Sequence, residues 1–219
     1  MRPFVHILVL LMGLTTPAMV SAQPQVSDEL KPIKMVVLGD SLSAGLGLPG
    51  AAAFPARLQK ALKDTGIDVD MVNAGVSGDT SSGGRDRLDW SVPVGTQAVI
   101  VELGANDALR GIDPAITRAA LTDIVSRLKA RGIAVLLCGM LAPPNFGSDY
   151  AARFDTIYPD LSKALDVPLY RFFLEGVAAD PKLNQADGIH PTAEGVDIIV
   201  KNMLPTVETF LRSIKQQRS

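Results

Sequence analysis

The sequence predicts an α/β domain in which helices cover both faces of a parallel sheet. Three observations carry that prediction. Short apolar-rich runs at Met35–Leu38, Val69–Val72, Ala98–Leu103, Ile133–Leu137 and Val167–Tyr170 read as buried strands. Between them lie longer segments with apolar residues at helical spacing, and strands that alternate with helices pair in parallel. The chain has 219 residues, 47% of them hydrophobic, with no internal repeat and no low-complexity segment, which suits one well-cored domain. That domain is expected over residues 32–219.

The N-terminus stands apart from it. Met1-Arg2-Pro3 is a short positive region, Phe4 to Leu14 is an apolar core, and Val20-Ser21-Ala22 offers small residues for cleavage before Gln23. This is the pattern of a signal peptide over residues 1–22, and it predicts export to the periplasm or the medium. The apolar stretch is about half of the roughly 20 residues that span a bilayer. No stable membrane insertion is expected after cleavage. Residues 23–31 are polar, contain Pro24 and form a lead-in.

The first strand, Met35–Leu38, runs straight into Gly39-Asp40-Ser41. A helix is expected over Phe54–Lys63, where Phe54, Leu58 and Leu62 share a face, Pro55 suits the first turn and Gly66 the end. The second strand, Val69–Val72, enters a loop at Asn73-Ala74-Gly75-Val76-Ser77-Gly78-Asp79-Thr80. Ser82–Trp90 reads as one short helix, and Ala98–Leu103 as the third strand. Asp113-Pro114 is an N-cap followed by a first-turn proline. Ile116, Ala120, Ile124 and Leu128 mark the buried face of the helix it starts, and Gly132 ends it. After the fourth strand, Tyr150–Leu165 reads as a helix that Pro159 should kink or split. A last amphipathic helix is traced by Val196, Ile199, Val200, Met203, Leu204, Val207 and Leu211, with a bend expected at Pro205.

Composition removes several classes of function. The formal net charge is −2 and aromatic residues make up 5% of the chain, so the basic stripe of a nucleic-acid binder is missing. Cys138 is the sole cysteine; it cannot form an intramolecular disulfide and reads as a small buried hydrophobe. The two histidines are His6, inside the signal, and His190. That leaves too few ligands for a zinc site or a metallophosphoesterase, and no metal is expected.

Ligands of open α/β sheets bind at the carboxyl ends of the strands, where Ser41 sits. A serine needs a base to take its proton and donors to hold an oxyanion. His190 is the one imidazole left after export, in Asp187-Gly188-Ile189-His190-Pro191. Asp187, three residues earlier in a tight turn, can fix one ring nitrogen and leave the other for Ser41. Asn106, in Gly104-Ala105-Asn106-Asp107 after the third strand, can supply an amide donor, although an Asx-turn is the plainer reading. Gly78 can bring a backbone N–H to a ligand, or can simply be a turn glycine. Gly39-Asp40-Ser41 is likewise an ordinary turn composition by itself.

Taken in this order, Gly39-Asp40-Ser41-Leu42, Gly78, Gly104-x-Asn106-Asp107 and Asp187-x-x-His190 resemble the four blocks of the SGNH (GDSL) hydrolase superfamily. The match covers about Met35 to Thr192. The wider wording is similar to the exported bacterial thioesterase I, lysophospholipase and arylesterase branch: Ser43-Ala44-Gly45, Ser77-Gly78-Asp79-Thr80, Leu109-Arg110-Gly111 and Gly188-Ile189-His190-Pro191. The resemblance implies a three-layer, flavodoxin-like α/β/α fold with a five-stranded parallel sheet of order 2-1-3-4-5. It implies Ser41 as nucleophile, His190 as base and Asp187 as its orienter. The oxyanion hole would be the Ser41 and Gly78 N–H groups and the Asn106 amide, with Gly75 a rival to Gly78. Asp107, Ala108, Leu109, Arg110, Gly111 and Ile112 match a loop that covers bound acyl chains in the family. The substrate implied is a small acyl ester or thioester, hydrolysed by a monomer without a cofactor. A carbohydrate O-deacetylase on the same chassis and a catalytically silent binding module are the alternatives.

Gly45-Leu46-Gly47-Leu48-Pro49-Gly50 is a literal G-x-G-x-x-G with Asp68 and Asp70 about 20 residues on. Its context argues against a dinucleotide site, because it neither leaves the strand directly nor opens a helix free of proline. Met140–Phe146 and Phe172-Phe173-Leu174 follow the fourth and fifth strands, and either wall an acyl pocket or pack as ordinary core.

Overall fold

The computed structural model describes residues 31–216. The signal peptide and all of the lead-in before Lys31 lie outside the described residues. Five parallel strands form one sheet in the order β2-β1-β3-β4-β5. They are β1 (Ile33–Gly39), β2 (Val69–Gly75), β3 (Ala98–Glu102), β4 (Ala134–Cys138) and β5 (Leu169–Tyr170). β1 and β3 are buried almost end to end, which is why they read as unbroken apolar runs.

Nine α-helices are described: α1 (Ser41–Ala44), α2 (Phe54–Asp64), α3 (Ser81–Asp86), α4 (Leu88–Ser91), α5 (Ala105–Leu109), α6 (Pro114–Ala130), α7 (Ser148–Phe154), α8 (Ile157–Leu165) and α9 (Ala193–Gln216). α2 packs with α9, whereas α6 packs with α3 and α8. The grouping follows from topology. The chain steps from β1 to β2 and then back past β1 to β3, and right-handed crossovers in opposite directions leave their helices on opposite faces. No helix among the described residues is long and apolar enough to cross a membrane.

The register brings the carboxyl ends of three strands to one level, with Gly39 opposite Gly75 on one side and Glu102 on the other. β2 therefore runs to Gly75, and Asn73, Ala74 and Gly75 are strand residues instead of loop. β2 is an edge strand, largely exposed, so backbone pairing and not apolar content sets its length. Two other departures have local causes. The segment read as one helix over Ser82–Trp90 is two helices that meet at Arg87. The break in Tyr150–Leu165 falls at Asp155-Thr156, so that Pro159 enters the first turn of α8, where its missing N–H costs nothing.

On α6 the buried face is Thr117, Ala120, Leu121, Ile124, Val125 and Leu128. Ile116 is 52% exposed and lies off it, because the face is centred between the 120/124/128 and 117/121/125 rows. α9 continues as one helix through Pro205.

Candidate active site

β1 delivers Asp40 and Ser41 to the sheet edge. Asp40 caps the single turn of α1, its Oδ1 accepting the Leu42 N–H at 3.0 Å. The turn ends on Gly45 at φ +78°, where an added Cβ would collide with Ala53. Gly47, also at positive φ, leaves room for Gln185, whose amide donates to the Leu46 and Pro191 carbonyls. The first two glycines of the apparent dinucleotide motif thus serve a tight turn and a close approach between two loops.

Ser41 Oγ lies 2.9 Å from His190 Nε2, and His190 Nδ1 lies 2.7 Å from Asp187 Oδ2. An ionised carboxylate has no proton to give, so Nδ1–H donates to Asp187 and Nε2 is left to accept from the Ser41 hydroxyl. Asp187 Oδ1 also accepts the backbone N–H groups of Ile189 and His190. Those backbone donors, then the His190 ring, hold the Asp187 carboxyl well below the usual carboxylate range. The turn is made by Gly188 at φ +71° and tied down by the Gln185 N–H donating to the His190 carbonyl at 2.7 Å.

Asn106 stands in the first turn of α5. Gly104 before it has φ +119°, and any Cβ there would strike the Tyr158 hydroxyl, which donates to the Leu103 carbonyl. The Asn106 side chain makes no Asx-turn. Its Nδ2 donates to Asp40 Oδ2 at 3.1 Å, and it borders the same cavity as Ser41 and His190. Of the two glycines, Gly75 spends its N–H on its neighbour Asn73 Oδ1 at 2.9 Å. Gly78, at φ +83° in a turn closed by Asp79 N–H and the Val76 carbonyl, has an N–H with no partner among the described residues. Neither glycine lines the cavity, which extends from Ser41 toward the β4 and β5 side of the sheet.

The cavity measures about 620 Å³. Leu109, Met140, Leu141, Pro143, Phe172 and Leu174 give it an apolar wall. Phe173 does not contribute; it points into the core and packs edge-on against Phe54 with ring centroids 4.9 Å apart. Phe146 also lies off the cavity, against Gly111 and Tyr150. Of the segment Asp107–Ile112, only Ala108 and Leu109 reach the cavity. Asp107 is fully buried and accepts from Ser81 N–H, Ser81 Oγ and Thr117 Oγ1, so it ties α5 to α3 and α6 and is not free to touch substrate. Arg110 donates to the Gly78 carbonyl at 2.8 Å, and the Ile112 carbonyl accepts from Tyr150 at 2.9 Å.

Three residues beneath the site carry no sequence signal of a role. Arg87 spreads its guanidinium over Asp79, the Ala74 carbonyl and the Gly39 carbonyl, and so binds the Gly78 turn to the ends of β1 and β2. Asp40 and Glu102 form a buried acidic pair. Burial pushes the Asp40 carboxyl up to about 6. Glu102 Oε2 accepts from Ser43 Oγ at 2.5 Å and from the Asp40 N–H, while Oε1 has no hydrogen-bond partner among the described residues. Burial, with the Asp40 charge beside it, raises the Glu102 carboxyl well above its usual range.

A stability prediction follows. Above its ordinary value of 4.5 the unfolded chain releases the Glu102 proton and the folded chain keeps it. The unfolded state then binds fewer protons, and stability falls with rising pH by up to about 1.4 kcal/mol per unit. Glu102→Gln removes that slope. Urea midpoints of the two proteins should diverge in favour of the variant as pH rises above 4.5; parallel curves would mean that the Glu102 carboxyl is not raised in the fold.

Sheet order and the blocks that end on it define an SGNH-type fold. A family model described as the GDSL-like lipase/acylhydrolase family matches residues 37–198, and the chain belongs to that family. It is 41% identical to the esterase TesA of Pseudomonas aeruginosa over 81% of this chain and 89% of that one. It is 40% identical to the thioesterase 1/protease 1/lysophospholipase L1 of Escherichia coli K12 over 79% of this chain and 84% of that one. Among solved structures, AlinE4, an SGNH-hydrolase family esterase, superposes with a TM-score of 0.70 at 44% identity, over 82% of this chain and 96% of that one.

Proposed function

We propose that the chain is an exported serine esterase that hydrolyses carboxylic ester or thioester bonds through an acyl-enzyme on Ser41. The observation that carries this reading is the line from Ser41 Oγ through His190 to Asp187 at the mouth of an apolar cavity. His190 Nε2 takes the Ser41 proton as Oγ attacks the carbonyl carbon, and Asp187 stabilises the imidazolium. The negative charge on the carbonyl oxygen is held by the Ser41 and Gly78 N–H groups and the Asn106 amide. His190 then protonates the departing alcohol or thiol. Water attacks the acyl-enzyme by the same route in reverse, freeing the acid and Ser41.

The steps as written draw on Ser41, His190 and Asp187 alone for nucleophile, base and orienter, and call on no metal or organic cofactor. The enzyme acts as a monomer on a small acyl substrate, binds no nucleic acid, and reaches the periplasm or medium after loss of residues 1–22.

The apolar wall favours an acyl chain over the sugar of a carbohydrate O-deacetylase, since a sugar needs polar partners that Met140, Leu141, Phe172 and Leu174 do not offer. The test compares kcat/KM on p-nitrophenyl esters from acetate to laurate, together with acetylated sugars and a fluorophosphonate probe. Labelling of Ser41 and a kcat/KM that rises beyond acetate are expected. Activity confined to sugar acetates would favour the deacetylase. An unlabelled Ser41 with no hydrolysis would leave a binding module.

A further inference from the structure

Asp40 stands between the nucleophile and the amide donor, and the reaction as written does not use it. Its carboxyl is fully buried and divides its two oxygens between two elements. Oδ1 caps α1 through Leu42, and Oδ2 accepts from Asn106 Nδ2, 66 residues away in sequence. We propose that Asp40 is the positioning residue of the oxyanion hole: it selects the orientation of the Asn106 amide, taking one N–H and leaving the other for the oxyanion. The assignment rests on the reading of Ser41, His190 and Asn106 as a hydrolase site.

The chemistry of the two groups supports it. The terminal torsion of asparagine is broad and nearly two-fold, so an amide at a cavity wall can present either its NH₂ or its carbonyl edge. A carboxylate accepts and cannot donate, so only the NH₂ edge can face Asp40. Nδ2 carries two hydrogens, and the one Asp40 does not take has no other acceptor among the described residues. Asp40 is itself held from below. Its N–H donates to Glu102, and Glu102 in turn fixes Ser43, so the acceptor cannot drift from the nucleophile turn. The groups around it are the Glu102 carboxyl, the Asp107 side chain engaged by Ser81 and Thr117, and the His190 ring.

A carboxylate so near a developing oxyanion also opposes it by charge. Anchoring and repulsion therefore predict opposite results for the isosteric variant Asp40→Asn. Its Oδ1 can still cap Leu42, but its NH₂ meets the NH₂ of Asn106, and the amide must turn or withdraw. A helix cap alone would be served equally well by asparagine. We expect kcat on p-nitrophenyl butyrate to fall by roughly ten- to a hundredfold, less than the 10²–10³ for loss of a donor outright, with KM within about threefold. Asp40→Ser keeps a capping oxygen but cannot reach Asn106, and should show a similar loss.

Because Asp40 acts through Asn106, the double variant Asp40→Asn/Asn106→Ala should be no slower than Asn106→Ala. Melting curves on each protein show that the rates belong to folded enzyme. An Asp40→Asn or Asp40→Ser variant with half or more of the wild-type kcat, a raised kcat, or losses that multiply in the double variant would overturn the assignment. Ser41→Ala separates this from the underlying reading. If hydrolysis survives that change, the hydrolase site is wrong and the role of Asp40 falls with it. If hydrolysis is lost while Asp40→Asn stays at full rate, only the role of Asp40 is wrong.

Discussion

Replacing His190 with alanine is expected to lower kcat for ester hydrolysis by about 10⁴-fold or more and to leave the fold intact. Among the described residues the Ser41 hydroxyl has no other hydrogen-bonded base. His190 is the one imidazole among the described residues, and its Nε2 lies 2.9 Å from Oγ. Losing the base of a serine triad typically leaves only the residual acceleration given by the oxyanion donors and substrate binding. The fold should tolerate the change because the backbone bonds of residue 190 do not depend on its side chain. The His190 N–H donates to Asp187, and its carbonyl accepts from Gln185. Steady-state kinetics with a circular dichroism melt is the measurement. A variant that keeps more than a tenth of wild-type hydrolysis would show that Ser41 is not activated by this ring.

Asn106→Ala is expected to lower kcat by about 10²–10³-fold, or roughly 3–4 kcal/mol of transition-state stabilisation, with little change in KM. The oxyanion exists only around the transition state, so its donor adds little to ground-state binding. The structure adds a second consequence. Removing the amide leaves Asp40 Oδ2 buried without its partner, which costs about 1–3 kcal/mol of stability. The melting midpoint should therefore drop as well. The decisive quantity is kcat of the folded enzyme. A lowered midpoint with near-normal kcat would make Asn106 a support for Asp40 and nothing more.

Much of this was legible before any coordinates. Buried strands identified themselves because both faces of a parallel sheet are apolar, and β1 and β3 are runs that only burial explains. Ser41, His190 and Asn106 could be picked out because each follows or borders a strand end and each is a scarce chemical type in a suitable turn. Asp187 was readable from three-residue spacing, since a turn of that length is a local object. The N-cap and proline that start α6 were readable for the same reason.

Local rules could not decide which of two neighbouring glycines keeps a free N–H. That depends on Asn73 folding back onto Gly75 at the end of a paired edge strand. They could not show that Asp107 faces inward to Ser81 and Thr117 while its neighbour Asn106 faces the cavity. Nor could they show that Phe173 belongs to the core between two residues that line the cavity.

By itself the sequence determined the sheet, its alternation with helices, and the four short blocks that make up the candidate site, because each is written in residue type and spacing over a few neighbours. Only the tertiary structure decided how those blocks are held. Asp40 meets Asn106, Glu102 meets Ser43, and Arg87 meets the Gly39 carbonyl, all between residues far apart in the chain, while the same Arg87 also holds the end of β2 and the Gly78 turn. A buried carboxyl or guanidinium has no periodicity of its own. Its role is set by which donors and acceptors the packed strands bring within about 3 Å, and that is a property of the register and not of the residue.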